Sequence, residues 1–229
     1  MQNPYFSYKV FKAKNAKRTL FFFPAGFTRL SLYRYPIARL NKSGVTVVGF
    51  DFQWRKAVSE VDLEGLHSLM AQINETVTHY MASNKNPTHP YAVFGSSFGG
   101  VIALYVAKRH KNIDAIILNV PHATVSKVLW THKPSKPFKA MLVSQGLDSE
   151  AKLHKALALL ESQSDLELLK DRKIVNITGL NDKIVTNGLE LADALAAANP
   201  STILHKSRYG HLVAGSLGVL RKSKWDSIL

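Results

Sequence analysis

Two adjacent serines stand among glycines in Phe94-Gly95-Ser96-Ser97-Phe98-Gly99-Gly100. A serine hydroxyl becomes a nucleophile when a base takes its proton and a third group orients that base. The glycines decide which serine could serve. A nucleophile on a tight strand-to-helix turn brings the residues two before and two after it against neighbouring backbone, where only glycine fits. Centred on Ser97, those places are Gly95 and Gly99. Centred on Ser96, they are Phe94 and Phe98, and the turn could not close. Ser97 is therefore the candidate nucleophile, Ser96 a small spacer, and Gly100 a place for close helix packing. Chance alone puts G-x-S-x-G in about one chain in ten of this length, so Ser97 needs partners elsewhere. An ordinary glycine-rich turn and a phosphate-binding turn are the competing explanations. Neither phosphate-loop pattern, G-x-x-x-x-G-K-[ST] or G-x-G-x-x-G, occurs in the chain.

The elements around that turn tell where partners could come from. Tyr5–Phe11 alternates as an edge strand does. Thr19–Phe23, Val45–Phe50, Tyr91–Phe94, Ala115–Val120 and Lys173–Thr178 are short apolar runs suited to strands buried on both faces. Thr202–His205 can form a last strand. Helical segments over Glu60–Met81, Phe98–Arg109 and Leu189–Ala198 alternate with these strands, and a last helix is expected from His211 onward. This alternation predicts an α/β fold with a mostly parallel sheet covered by helices on both faces. About fifty residues separate the strands ending at Val120 and beginning at Lys173. They hold a proline-lysine loop, His132–Pro137, and a helical piece over Ser149–Leu169. A crossover needs far fewer. The chain is therefore expected to be a single domain, 1–229, with a small helical cap inserted over about 122–170.

Ligands of open α/β sheets bind beyond the carboxyl ends of the strands. The histidines after Ser97 are His110, His122, His132, His154, His205 and His211. His110 ends a helix, His132 and His154 fall in the inserted segment, and His205 lies within a strand. His211 follows the last strand, in Tyr209-Gly210-His211, and is the candidate base. His122 follows the strand Ala115–Val120 and is the next to consider. Asp182 lies just past the strand Lys173–Thr178, in Gly179-Leu180-Asn181-Asp182, and would accept the second N–H of the histidine. A turn-capping aspartate is the alternative there. An oxyanion would need two backbone donors. The N–H of Phe98 follows the nucleophile, and the N–H of Phe27 lies in Pro24-Ala25-Gly26-Phe27, where Gly26 would let the chain turn.

Taken together, Gly95–Gly100, Gly179–Asp182 and Gly210-His211 resemble the nucleophile elbow, acid loop and histidine loop of the α/β-hydrolase superfamily. Pro24–Phe27 resembles its oxyanion loop. The likeness runs over residues of about 19 to 215. It implies a serine hydrolase with Ser97 as nucleophile, His211 as base, Asp182 as acid, and Phe27 and Phe98 as oxyanion donors. The chain departs from the family in three places. Ala25-Gly26 stands where histidine-glycine is common, the antiparallel edge is short, and Asp51-Phe52-Gln53-Trp54-Arg55 gives an unusual pocket loop.

The implied reaction is cleavage of a carboxylic ester through an acyl-enzyme, with no cofactor and no metal. Trp130 and Phe138, in the cap, are candidate lining for an apolar substrate arm. An acyl thioesterase using the same triad, and a catalytically silent binding protein with a cationic surface, remain open. The fold alone does not choose among esterase, thioesterase, amidase, acyltransferase and lyase.

The composition sets outer bounds. The chain has 229 residues, 46% of them apolar, and no cysteine, which excludes thiolate catalysis, disulfides and cysteine-held zinc. The first residues lack the apolar core of a signal peptide, and no apolar run reaches membrane-span length. A cytoplasmic protein with no membrane span is expected. The net charge of +14 is spread along the chain. Without aromatic and basic residues interleaved, nucleic acid is not an expected partner. A small-molecule acyl ester or thioester is, and a basic rim would favour an anionic or carrier-bound acyl group.

Overall fold

Arg18–Phe23 is buried along its whole length, as a strand at the middle of a sheet covered on both faces must be. A computed structural model describes residues 3–84, 89–131 and 136–211 with Gly215 and Leu229, and only the backbone at 58–59 and 137–138. Seven strands form one sheet: β1 (Phe6–Phe11), β2 (Arg18–Phe23), β3 (Val45–Phe52), β4 (Tyr91–Ser96), β5 (Ile113–Asn119), β6 (Lys173–Gly179) and β7 (Ile203–Ser207). Their order is β1-β3-β2-β4-β5-β6-β7. Among the described strands only β1, on the edge, is antiparallel. From β2 the chain steps outward to β3, then returns to place β4 on the other side of β2. The strand order reverses there, at the carboxyl ends of β2 and β4, the place where open α/β sheets bind their ligands.

Successive side chains of a strand point to opposite faces, and two cores result. Leu20, Phe22, Val47, Phe94 and Ile117 pack with Ile37 and Leu40 of α1 (Arg34–Lys42). Phe21, Phe23, Phe50, Val93, Ile116 and Leu118 pack with α3 (Leu63–Ser83), α4 (Phe98–Arg109) and α8 (Gly188–Ala198). Two helices escape the apolar-periodicity reading. In α1, Pro36 sits in the first turn, where its missing N–H would have no intrahelical acceptor anyway. The other is α2 (Trp54–Glu60), two turns that directly follow β3.

Between β5 and β6 lie α5 (Val125–Thr131), α6 (Lys136–Ser144) and α7 (Glu150–Ala156). Residues 132–135, with His132, fall outside the described residues, as does most of the helix expected beyond His211. The single helical piece expected over Ser149–Leu169 is broken. α7 ends at Ala156, and 3-10 turns at Ala158–Leu160 and Leu166–Leu169 follow. Polar bonding explains the break. Glu161 is buried, and its carboxylate accepts the Val125 and Ser126 amides at 2.6 and 3.1 Å. The Glu161 and Ser162 carbonyls take the Lys108 ammonium at 3.4 and 3.2 Å. Burial pulls that lysine down to about 8. Asp165 then turns the chain in the left-handed region, φ 51°.

Phe22 is fully buried and stacks on Phe94 with ring centroids 4.4 Å apart. Phe22→Ala is expected to lower the unfolding free energy by about 3–5 kcal/mol, read from chemical denaturation midpoints.

Candidate active site

The turn after β4 is built by close backbone contact. A Cβ at Gly95 would lie 2.2 Å from the Gly99 carbonyl oxygen, and one at Gly99 would lie 2.3 Å from that of Phe23. Ser97 stands between them at φ 52°, ψ −121°. A Cβ at Gly100 would meet Pro121 Cβ at 2.9 Å, so this glycine admits the loop after β5. Ser96 does more than fill space. Its buried hydroxyl accepts from Asn119 Nδ2 at 3.0 Å, and the Ser97 N–H donates to the Asn119 carbonyl at 2.9 Å. No sequence pattern pointed to Asn119, because its part depends on the register between β4 and β5.

Three loops converge on Ser97. Its Oγ lies 3.1 Å from His211 Nε2, and His211 Nδ1 lies 2.7 Å from Asp182 Oδ2. Asp182 Oδ1 accepts the amides of Ile184 and Val185 at 2.9 and 2.8 Å. Burial alone would raise this carboxyl. The hydrogen bonds from His211, Val185 and Ile184 and the nearby imidazole outweigh it and hold Asp182 below its ordinary 3.8. The two loops are laced together by Leu180 N–H to the Ser207 carbonyl and Asn181 Nδ2 to the Arg208 carbonyl, both 2.7 Å. Gly210 serves close approach, not a special turn: its Cβ would sit 3.0 Å from the Asn181 carbonyl oxygen.

The loop Pro24–Phe27 differs from expectation in which residue turns. Gly26 has ordinary backbone and room for a side chain, while Phe27 takes the left-handed conformation, φ 61°. The loop is held by Thr28 Oγ1 on the Ala25 carbonyl at 2.7 Å and by the Ala25 N–H on the Tyr33 hydroxyl at 3.2 Å. Phe98 is the first residue of α4, where an N–H has no intrahelical acceptor.

Of the other candidate histidines that are described, all but one go elsewhere. His110 meets Asn74, His154 meets Ser126 and Glu161, and His205 lies in β7. His122 is the exception: its Nε2 is 3.2 Å from Ser97 Oγ. Asp51 accepts the Leu30 amide at 3.1 Å and belongs to the fold. Trp130 packs against the core with the Lys139 ammonium 3.5 Å above its ring. Phe138 lies in α6, and its side chain is outside the described residues. An aromatic residue tied to the turn at Ser97 is Trp54, edge-on to Phe98 at 5.2 Å, 4.8 Å from Phe52 and 6.3 Å from the ring of Phe27. The unusual loop after β3 was its signal. Among the described residues, no group of three or more histidines and carboxylates is placed to hold a metal ion. No described helix is long and apolar enough to cross a membrane.

A mostly parallel seven-stranded sheet, with a serine on a glycine-flanked turn at its reversal point, defines the α/β-hydrolase class. Within it, the chain belongs to the family described as serine aminopeptidase, S33 (Hydrolase_4), whose pattern matches residues 14–202. That stretch holds Ser97 and Asp182 and ends before His211. Among solved structures the chain is similar to a soluble variant of monoglyceride lipase from Saccharomyces cerevisiae in complex with a substrate analog. The two share 12% identity over 99% of this chain and 93% of that one, with TM-score 0.71. It is also similar to the capsule O-acetyltransferase of Neisseria meningitidis serogroup A, at 20% identity over 97% and 91%, TM-score 0.67. A Pyrococcus furiosus esterase shares 16% identity over 97% and 88%, TM-score 0.61. These likenesses are of fold. No curated protein matches the chain.

Two measurements test the geometry. Gly99→Ala forces a Cβ onto backbone oxygens and is expected to lower the thermal midpoint sharply or prevent folding, by differential scanning fluorimetry. A carboxyl lowered by folding stabilises the native state fully above its unfolded value and loses that contribution as pH falls through the folded one. The stability gap between wild type and Asp182→Asn is therefore expected to be full at neutral pH and to shrink below pH 3.8, read by denaturant titration at each pH.

Proposed function

We propose that this protein is a serine hydrolase that cleaves a carboxylic ester, with Ser97 as nucleophile, His211 as base and Asp182 as the acid that orients it. One observation carries the reading: the unbroken run of hydrogen bonds from Ser97 Oγ through His211 to Asp182, at 3.1 and 2.7 Å, assembled from loops after three different strands. Asp182 fixes the proton of His211 on Nδ1 and leaves Nε2 free to accept the serine proton. As Ser97 Oγ attacks the ester carbonyl, His211 takes its proton and then gives it to the departing alcohol. The N–H groups of Phe27 and Phe98 hold the oxyanion. Water, deprotonated by His211, releases the acid and restores Ser97.

The rings of Phe27, Trp54 and Phe98 form an apolar wall beside those donors, suited to a hydrocarbon arm. We read residues of about 122–170 as a cap over this site, with Trp130 and Phe138 as its contribution to substrate binding. The net charge of +14 favours a second reading with the same triad, a thioester on an anionic carrier.

The test is hydrolysis of p-nitrophenyl esters from acetyl to dodecanoyl. The wild type is expected to turn over, and Ser97→Ala to lose at least about 1,000-fold in kcat/KM. Wild-type protein that neither turns over any ester nor reacts with a serine-directed phosphonate would overturn the reading and leave a binding protein. A parallel series of acyl thioesters separates the two hydrolase readings.

A further inference from the structure

Ser97 Oγ lies between two histidines: His211 Nε2 at 3.1 Å and His122 Nε2 at 3.2 Å. A hydroxyl has one proton to give and two lone pairs to receive with. Asp182 takes the Nδ1–H of His211, so the Nε2 of that ring is an acceptor. The serine proton goes to His211. His122 must then meet the same oxygen with an N–H of its own.

The chain holds that ring in place at some cost. Val120 is β-branched yet left-handed, φ 47°, a conformation such residues rarely adopt. Its N–H donates to the Ile177 carbonyl at 2.7 Å. Pro121 then seats against Gly100. Beyond His122, buried Asn187 accepts the Ala123 amide at 3.3 Å and donates to the Thr124 carbonyl at 3.4 Å. Glu161 grips the next two amides. His122 itself is 6% exposed, with its ring edge-on to Phe98.

Building on the hydrolase reading above, we propose that His122 is a second catalytic histidine, whose Nε2–H binds Ser97 Oγ and speeds its release from the acyl-enzyme. The ground is a difference in acceptor strength. Oγ accepts strongly as a hydroxyl or departing alkoxide, and weakly as an ester oxygen. A buried N–H aimed at it thus favours freed serine over acyl-enzyme, and favours most the transition state in which charge gathers on Oγ. In deacylation, water adds to the acyl carbonyl and its proton passes to His211. The C–Oγ bond breaks, the electron pair stays on Oγ, and His211 returns the proton there. His122 keeps its own proton throughout.

The experiment follows p-nitrophenyl acetate through burst and steady state, with intact mass read for the acyl adduct. His122→Phe keeps a ring but removes the donor, and His122→Gln keeps an N–H. His122→Phe is expected to slow deacylation about 10- to 100-fold. KM should fall alongside kcat, with a burst near one equivalent and an acetyl adduct on Ser97. His122→Gln should recover most of the rate. If His122→Phe instead slows acylation and phosphonate labelling together, with no burst, or if His122→Gln behaves as His122→Phe does, the proposal is overturned while the hydrolase reading stands. Should His122→Phe fail to fold, His122→Gln decides: deacylation slowed as far as 100-fold refutes the donor role. Activity that survives His211→Ala but not loss of His122 would make His122 the base, and would also overturn it. A wild type that neither labels nor turns over overturns both.

Discussion

The site depends on backbone meeting backbone with no side chain between. At the turn after β4, the Gly99 carbonyl oxygen is 2.2 Å from where a Gly95 side chain would begin. That contact closes the strand onto the helix within two residues. It holds Ser97 at a positive φ of 52° and leaves the Phe98 N–H at the head of α4. Ser97 is placed by what is missing from its neighbours, and the loops around it are arranged to meet it there.

Those loops are fixed by polar groups inside the protein. Asp182 accepts two amides with one oxygen and faces His211 with the other, so its charge is stabilised before any substrate arrives. Preorganised charge of this kind need not be rearranged during reaction. Asn119, Asn187 and Glu161, all buried, do similar work in the second layer. Each joins segments distant in sequence: Asn119 the ends of β4 and β5, Asn187 the loop of Asp182 and the loop after β5, Glu161 the head of α5 and the break after α7.

This division explains what could be read from the sequence. The strands were legible because a strand buried on both faces is a continuous apolar run. The turn at Ser97 was legible because the steric rule for glycine is local, and the approach of Asp182 and His211 to it because a parallel sheet brings the loops at its strand ends together. Other features were hidden because they arise from tertiary contact. Helix α1 carries a proline that argues against a helix unless its start is known. The helix expected over Ser149–Leu169 breaks because Glu161 finds amides to bind some 35 residues earlier in the chain. Glycine drew attention to Gly26, yet Phe27 takes the unusual conformation, and no propensity would assign it there. Trp54 was signalled only by an odd loop, and the place of His122 beside Ser97 only by its position after a strand.

Phe27, Ser97 and Val120 are three of the four described non-glycine residues with positive φ. They follow β2, β4 and β5, which are neighbours in the sheet. At about 1–3 kcal/mol each, this one edge withholds a sizeable share of the stability that a domain of this size has. Anyone hardening the protein against heat would be drawn first to Phe27 and Val120, since glycine there would relieve the tension without touching the Ser97 hydroxyl. The tension is what holds these strand ends in the shape that brings Ser97, His211 and His122 together, so a more robust fold obtained that way would come with a looser site. Thermal tolerance and the geometry around Ser97 meet in this protein at three neighbouring strand ends.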